Sequence, residues 1–431
     1  MQRREFLVMA GAVPLTMLGF GGNDTGAATV RLVNASVGYP TGLGFMDDSV
    51  QAVTGIAYGD CSSFVNVKAG AEPIAITVSS GGTTASIFTS TRTLDKDSRY
   101  SLVAYGFSND LRALPMFENT ASPDSGYAKV SVLNTSVDIG AVDVYISPGP
   151  SLDLETAIAS SVSGLTQSSF TSVAAGSYYI TVVGANSVSK GISDVRFQSS
   201  AAVTLVDQQI MTIILTPGAS GVLANAIFLT QGTGESTGTV SEMNTTYRLR
   251  VFANTGPGTA VTVSDVLTSE GSPGKSEYTV LQAKSTLSVT VTGVTNAGTI
   301  AVTGAALEPG ADYTMLIYAD QNGNAIADLI LDDNTAPVSA SGVKFRLINL
   351  DPNSTTVSMT VNGSSTGTNV AYGAAGVYAE VPTPLSTNSV VNVSAEAEVL
   401  VTHDLVLAAG NVFTEVLIGE NSDFFVASTV S

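Results

Sequence analysis

The chain has 431 residues, of which 44% are apolar and only 12% are charged. Enough apolar side chains are present to bury real cores, so the composition excludes a disordered polymer, and the length predicts about three or four domains. The formal net charge of −19 would repel a phosphate backbone, which excludes nucleic acid as a partner and disfavours anionic membrane surfaces.

The N-terminal segment predicts export. It reads MQRREFLVMAGAVPLTMLGFGG, in which Arg3 and Arg4 precede an apolar run that ends at Phe20. Two arginines followed after one residue by a large apolar pair resemble a twin-arginine export signal. The run of about fifteen residues is shorter than the roughly twenty that a membrane-spanning helix needs. We therefore expect residues 1–28 to be a signal peptide, no further transmembrane segment, and a periplasmic, cell-surface or extracellular mature chain.

Behind this segment the sequence repeats itself four times. An alternating strand that ends near an asparagine recurs as TVRLVNAS, KVSVLNTS, RLRVFANT and KFRLINLD, which places asparagines at 34, 134, 254 and 349. Each copy closes on an apolar strand, a polar turn and another apolar strand, as in YSLVAYGFSNDLRALPMFEN at 100–119. A repeat of about one hundred residues that contains both patterns predicts a tandem array.

Each repeat reads as a β-sandwich. Period-two alternation between Gly, Asn, Asp and Pro turns is typical of half-buried antiparallel strands, and about seven strands in a hundred residues is an immunoglobulin-like density. The fold class we predict is all-β, with four tandem immunoglobulin-like antiparallel β-sandwich modules arranged as beads on a string. Their predicted bounds are 29–125, 126–238, 239–338 and 339–431, and the third includes the Gly/Ser/Thr-rich linker that precedes it. Only residues 151–164, SLDLETAIASSVSG, have helical character, within a loop of the second module.

The repeat resembles the bacterial and archaeal family known as domain of unknown function 4397. The second copy matches the family pattern best, through VSVLNTSVDIGAVDVYISPG at 130–149 and VAAGSYYITVVGA at 173–185. The first copy keeps YGDCSSFVNVKAG, and the third keeps LEPGADYTMLIYA. The fourth copy is the most divergent and keeps LAAGNVFTEVLIG. The resemblance implies exported tandem β-sandwich modules, and it brings no established activity and no catalytic residues.

No catalytic constellation is recognisable. His403 is the only histidine and lies in an alternating strand, and Cys61 is the only cysteine, which excludes an intramolecular disulfide. Two G-x-S-x-G matches, at 234–238 and 363–367, do not lie between a strand and a helix, which is the context that a nucleophile elbow requires. No glycine-rich loop lies between a strand and a helix to hold a nucleotide. We therefore expect no catalytic residues and no cofactor.

One stretch resembles the start of a calcium loop. In YADQNGNAIADLILDD, Asp320, Asn322 and Asn324 alternate and Asp328 follows, so these four residues are the candidate metal ligands. An EF-hand would need Gly at its sixth position and an acidic residue at its twelfth, where this chain has Ala325 and Leu331. The other three copies have polar turns at the same place, so we interpret the stretch as a hairpin turn, with Asn322-Gly323 suited to type I′.

These observations predict a non-enzymatic exported protein that presents its modules to a protein or an extracellular polymer, with homo-oligomer formation left open. Two alternatives remain from other classes. The acidic surface would suit a calcium-dependent adhesin or matrix component, and paired carboxylates in space could make the chain a hydrolase or an enzyme accessory subunit.

The export assignment has a direct test. Replacing Arg3→Lys together with Arg4→Lys should leave the precursor in the cytoplasm, because the twin arginines are the recognised element of such a signal. Fractionation of cells that produce the tagged chain measures this, and normal export of the double variant would refute the assignment.

Overall fold

A computed structural model of the chain shows a fold built from β-strands, as the alternating pattern predicts. It describes residues 26–107, 111–118, 121–136, 139–151, 154, 156–185, 191–218, 221–232, 237–239, 245–282, 287–293, 298–302, 307, 309–335, 337, 342–381, 389–396, 398–407, 411–418 and 421–426. Within these ranges the only helical segment is the 3₁₀ turn Ile192–Asp194. No helix in them is long and apolar enough to cross a membrane. The predicted signal at residues 1–28 falls almost wholly outside them.

The first two sheets enclose an apolar core that contains Leu32, Phe45 and Ile76. Their strand orders are β4-β1-β7-β8 and β3-β2-β5-β6. The strands are β1 (Ala27–Ala35), β2 (Leu43–Asp47), β3 (Val50–Ile56), β4 (Val65–Lys68), β5 (Gly70–Ser80), β6 (Thr83–Leu94), β7 (Arg99–Tyr105) and β8 (Arg112–Phe117).

The second pair of sheets encloses a core around Val132, Val144 and Val182. Its strand orders are β12-β9-β17-β18-β19, with β13 also on β9, and β11-β10-β14-β15, with β16 also on β14. The strands are β9 (Tyr127–Asn134), β10 (Val142–Ser147), β11 (Thr156–Val162), β12 (Thr166–Gln167), β13 (Thr171–Ala174), β14 (Gly176–Gly184), β15 (Val195–Gln198), β16 (Val203–Leu205), β17 (Ile210–Gly218), β18 (Gly221–Thr230) and β19 (Thr237–Thr239).

The helical character predicted for residues 151–164 is wrong. Strand β11 occupies 156–162 and pairs antiparallel with β10. Ile158 and Val162 are buried in the sandwich core, so the pairing and burial override a weak local preference for helix.

The third pair of sheets encloses a core around Leu249, Val261 and Val289. Its strand orders are β23-β20-β27-β28, with β24 also on β20, and β22-β21-β25-β26. The strands are β20 (Thr246–Asn254), β21 (Ala260–Val263), β22 (Leu267–Gly271), β23 (Gly274–Lys275), β24 (Thr279–Gln282), β25 (Leu287–Thr292), β26 (Gly298–Val302), β27 (Asp312–Ala319) and β28 (Ala325–Asp332).

The fourth pair of sheets encloses a core around Phe345, Met359 and Val391. Its strand orders are β32-β29-β36-β37, with β33 also on β29, and β31-β30-β34-β35. The strands are β29 (Val343–Asn349), β30 (Thr356–Val361), β31 (Ser364–Ala371), β32 (Ala374–Ala375), β33 (Ala379–Val381), β34 (Ser389–Ala395), β35 (Glu398–Leu405), β36 (Val412–Ile418) and β37 (Asn421–Val426).

The all-β sandwich prediction is confirmed, although in each pair the sheet that contains the opening strand is mixed and only the other sheet is purely antiparallel. In each pair, the opening strand runs parallel to the first strand of the closing hairpin: β1 with β7, β9 with β17, β20 with β27 and β29 with β36. The chain leaves the opening strand, builds the second sheet and returns beside its own start, so the two strands point the same way. The predicted module bounds at 125, 238 and 338 stay predictions.

Three of the repeated asparagines fasten one sheet of a sandwich to the other. Asn349 is fully buried, and its Nδ2 donates to the carbonyl oxygens of Ser354 and Val370 at 3.0 and 3.2 Å. Its Oδ1 accepts the backbone N–H of Asp351 at 3.0 Å. Asn34 and Asn134 make the same three kinds of hydrogen bond. The asparagine therefore satisfies backbone groups where the chain leaves the first sheet.

The fourth asparagine differs. Asn34 lies opposite Ala104 in the parallel ladder, three residues after Arg31, whereas Asn254 lies opposite Tyr318, four residues after Arg250. Because side chains alternate between the faces of a strand, Asn254 points away from its own sandwich. Its Nδ2 donates to the carbonyl oxygen of Leu350 at 2.7 Å, in the next pair of sheets.

The substitution Asn349→Ala should lower the free energy of unfolding by about 2–4 kcal/mol, because it leaves two buried carbonyls and one N–H without a partner. Urea unfolding followed by far-ultraviolet circular dichroism measures the loss. Asn353→Ala, at an exposed position of the same turn, is the control, and it should change stability by less than about 0.5 kcal/mol. Equal effects of the two substitutions would contradict the role of Asn349.

Candidate functional site

The candidate calcium loop is a hairpin turn between β27 and β28. The last paired residues are Ala319 and Ala325, so five residues form the loop. Asp320 Oδ1 accepts the backbone N–H groups of Asn322 and Asn324, both at 2.8 Å, and its Oδ2 accepts Nδ2 of Asn324 at 3.0 Å. These hydrogen bonds, those from Asn324 first, lower the pKa of the Asp320 carboxyl. The hydrogen bonds of the turn thus occupy the Asp320 carboxylate oxygens that a metal ion would need as ligands.

The fourth candidate ligand lies outside the loop. Asp328 lies on β28, where its Oδ2 accepts the hydroxyl of Tyr318 at 2.7 Å. The described residues contain no group of three or more His, Cys, Asp or Glu side chains that could hold a metal ion. The predicted type I′ turn is wrong, because it needs positive φ at both Asn322 and Gly323, and only Gly323 has it, at 78°.

The hairpin packs against the fourth pair of sheets. The rings of Tyr318 and Tyr372 meet edge to face at 5.4 Å, and the Tyr372 hydroxyl donates to the carbonyl oxygen of Ala319 at 3.0 Å. Gly373 has a φ of 76°, and a Cβ there would collide with the Tyr318 ring. The place that resembles a metal loop is therefore part of a contact between neighbouring sandwiches.

The only histidine is paired with a carboxylate inside the fourth sandwich. His403 Nε2 lies 3.0 Å from Oε1 of Glu415, and Glu415 is fully buried. Of the two G-x-S-x-G serines, Ser365 is exposed on strand β31, and Ser236 lies outside the described residues. Cys61 is buried, and Nη1 of Arg31 lies 3.8 Å from its sulfur.

Charged side chains gather instead where sandwiches meet. We call the contact between the sheets that contain β1 and β9 junction 1–2. Its apolar part is one cluster with members from both sheets, among them Val33, Val103, Leu133 and Ile214.

A buried arginine crosses junction 1–2. Arg31 is fully buried, and its Nε and Nη2 donate to Oε1 of Glu118 at 2.9 and 2.6 Å. Nη2 also donates to the carbonyl oxygen of Thr230, on the second pair of sheets, at 2.9 Å. The Glu118 side chain then accepts the backbone N–H of Gly232 at 3.2 Å. A buried charge is tolerable only when it is paired and hydrogen-bonded. Here the paired carboxylate comes from the same sandwich, and the neighbouring sandwich supplies further hydrogen bonds to both partners.

The contact between the sheets that contain β20 and β29, junction 3–4, repeats this arrangement with two arginines. Its apolar cluster joins Phe252 and Leu316 to Ile348 and Val416. Arg346 Nη2 lies 2.5 Å from Oδ1 of Asp332, which belongs to the other sandwich.

Arg250 completes the network from the third sandwich. Its Nη2 lies 3.8 Å from Oδ2 of Asp332 and donates across the junction to the hydroxyl of Thr414 at 3.0 Å. Thr314 and Tyr278 each donate a hydroxyl hydrogen to the same carboxylate oxygen at 2.5 Å. One carboxylate thus serves two buried arginines from two sandwiches.

Aromatic rings cover the guanidinium groups. The guanidinium carbon of Arg31 lies 4.8 Å from the ring centre of Phe64, that of Arg250 4.5 Å from Tyr278, and that of Arg346 4.6 Å from Tyr378. Burial raises the pKa of Tyr378 to about 12, against the opposing effect of Arg346. Burial alone would lower the pKa of Arg346, but Asp332 and the nearby tyrosines outweigh it and raise the pKa. The junction therefore favours the charged form of Arg346 and the protonated form of Tyr378.

The contact between the second and third pairs of sheets, junction 2–3, has another geometry. Tyr145, Val183 and Val195 of the β10-β14-β15 sheet pack against Val280 of strand β24. Gln282 Nε2 donates to Oε1 of Gln198 at 3.0 Å. This contact is a sheet face against an edge strand, with a smaller apolar cluster than the other junctions.

Sequence reasoning missed the arginines, although the chain carried a signal for them. Arg31, Arg250 and Arg346 occupy corresponding positions of opening strands, in a chain with only 17 lysines and arginines. Lys and Arg are almost never fully buried unless they are paired, so a repeated arginine in an apolar strand points to a partner. The partner carboxylates lie at the end of the closing hairpin, and no local spacing links them to the arginines.

Comparison with known proteins agrees with the resemblance. Residues 28–145 match the model of the family described as Domain of unknown function (DUF4397). No curated protein is similar to the chain. Among solved structures, the Bacillus anthracis TIE protein is similar to it with 9% sequence identity and a TM-score of 0.15, over 91% of this chain and 68% of that one. The chain is thus a β-rich domain protein with a stretch that resembles this family.

Removing the shared carboxylate of junction 3–4 should be costly. Asp332→Asn leaves two buried arginines without their counter-charge, so we expect the free energy of unfolding to fall by about 3–5 kcal/mol. Chemical denaturation of the full chain measures this.

Asp328→Asn is the matched control, since Asp328 is exposed on the same strand. It should cost less than about 1 kcal/mol. A loss for Asp332→Asn no larger than that of the control would contradict the role of the network.

Proposed function

We propose that the chain is an exported, non-enzymatic scaffold that holds β-sandwich modules in fixed mutual positions and presents their surfaces to a protein or an extracellular polymer. The strongest support for this proposal is the location of the buried charged side chains. Arg31, Arg250 and Arg346 and their carboxylates are engaged at contacts between sandwiches. Of the candidate metal ligands, Asp320 and Asn324 are hydrogen-bonded to each other within a turn.

Buried junctions of this kind favour a rigid array over independent beads. Each network joins groups from two sandwiches, so separating them would expose an apolar cluster and remove partners from a buried charge. A scaffold needs this rigidity because it must hold binding surfaces at set distances. The export signal, the acidic surface and the family resemblance support a location outside the cytoplasm.

The calcium-dependent alternative makes a separate prediction. Because Asp320 is already hydrogen-bonded within its turn, we expect the thermal midpoint of the purified chain to be the same in millimolar calcium and in chelator, within about 1 °C. Differential scanning calorimetry measures the midpoint. A rise in calcium that disappears with Asp320→Ala would favour the adhesin alternative over the scaffold.

The hydrolase alternative can be tested with chromogenic esters, glycosides and phosphates. The scaffold proposal expects no turnover above buffer. A rate that falls with His403→Gln, while the variant keeps the unfolding midpoint of the parent, would overturn the non-enzymatic assignment.

A further inference from the structure

Junction 2–3 shows how one sandwich of this chain docks on the next through a small apolar cluster. Val195, on β15, is fully buried there, together with Val183 and Tyr145. The receiving surface is β24, a short strand on the outer side of β20, through Val280. The donor surface is thus the outer face of the β11-β10-β14-β15 sheet. The acceptor is the edge of the sheet that contains β20, where β24 is the outer strand.

The fourth pair of sheets carries the same donor position. The β14–β15 ladder pairs Val182 with Phe197 and then, after a bulge, Val183 with Val195. The β34–β35 ladder has a bulge at the same place, where Val393 pairs with Val401 and then Ser394 with Val399. The bulge makes the correspondence unambiguous, since it fixes which residue of each strand turns outward.

Val399 therefore occupies the position of Val195, but nothing in the described part of the chain covers it. Its side chain is 54% exposed, and its neighbour Leu400, which stands where the second sandwich has Arg196, is 40% exposed. Two adjacent exposed aliphatic residues at a docking position are what an unfilled contact would leave.

The first pair of sheets carries the matching acceptor position. Ser62 and Ser276 each make a reciprocal pair of hydrogen bonds with the opening strand, Ser62 with Leu32 and Ser276 with Val251. Counting four residues on from each serine places Asn66 of β4 where β24 has Val280. Asn66 is exposed, and it lines a cleft of about 480 Å³ with Thr29, Phe64, Ser98 and Arg99.

One pair of opposite charges is available to the two free surfaces. Glu398 precedes Val399, as Asp194 precedes Val195, and Arg99 lines the cleft on the first pair of sheets, together with Asp97. At junction 2–3, burial and then the nearby Arg248 lower the pKa of Arg196. In a contact between the free surfaces, Leu400 would take the place of Arg196 and Thr29 the place of Arg248. The repulsion between two arginines would therefore be absent.

We propose that a second copy of this chain docks here, with the Val399 face of one copy on the β4 cleft of the next. The inference rests on the proposed scaffold function and deepens it by naming a partner. The two surfaces differ and lie on different sandwiches of the chain, so the contact is heterologous and joins copies head to tail into a ring or a filament. Thr360 and Ser394 replace Tyr145 and Val183, so the contact buries less apolar surface than junction 2–3 and is reversible.

Sedimentation velocity of the full chain over a range of concentrations tests the docking. The sedimentation coefficient should rise with concentration, and Val399→Lys should weaken the association at least about tenfold, because it places a charge in a contact core that charged residues avoid. Val377→Lys is the control, since Val377 is 85% exposed on the same pair of sheets but not on β35. Both variants should keep the thermal midpoint of the parent.

Cross-linking tests the direction. In a Cys61→Ala background, copies with Val399→Cys mixed with copies with Asn66→Cys should form disulfide-linked pairs, and copies with Val377→Cys mixed with Asn66→Cys copies should not. A parent chain that stays monomeric at every concentration, or equal cross-linking in both mixtures, would overturn the proposal. A monomer that is still exported and binds an extracellular polymer would leave the scaffold function standing without this contact.

Discussion

The arrangement of this protein depends on the need to satisfy buried guanidinium groups between sheets. An arginine in the middle of an apolar strand cannot be left against hydrocarbon, because an unpaired buried charge lowers the stability of the fold by about 3–5 kcal/mol. Arg31 and Arg346 avoid this cost through carboxylates, hydroxyls, a carbonyl and an aromatic ring gathered at a junction. Some of these partners belong to the neighbouring sandwich, so the arginine makes two sandwiches depend on each other.

The sequence predicted the sheets and their repetition because the determinants are local. Apolar and polar side chains alternate along a strand with a period of two, whichever strand pairs with it. A recurring asparagine marks the point where the chain leaves the first sheet in three copies. Asn254 shows the limit of this reasoning. Its sequence context matches that of the other three asparagines, but one extra residue after Arg250 places it on the opposite face of the strand. Only the register with β27 reveals this shift.

The candidate site was less predictable, because its parts are distant in sequence. Arg346 meets Asp332 across the boundary between two sandwiches, and Arg31 meets Glu118 from the far end of the same sandwich. The loop at Asp320 shows the opposite error: its ligand-like spacing is real, but hydrogen bonds inside the turn explain it. In a chain of repeats, comparison of corresponding positions is more informative than any single motif.

The central claim is that junction 3–4 makes two sandwiches one cooperative unit, and hydrogen exchange with mass spectrometry of the full chain tests it most directly. Comparison of the parent chain with Asp332→Asn should show amide protection falling together in β20 and β27 of one sandwich and in β29 and β36 of the other. Strands β9 and β17, which lie outside the junction, should keep their protection. A loss confined to the sandwich that contains Asp332 would contradict the account.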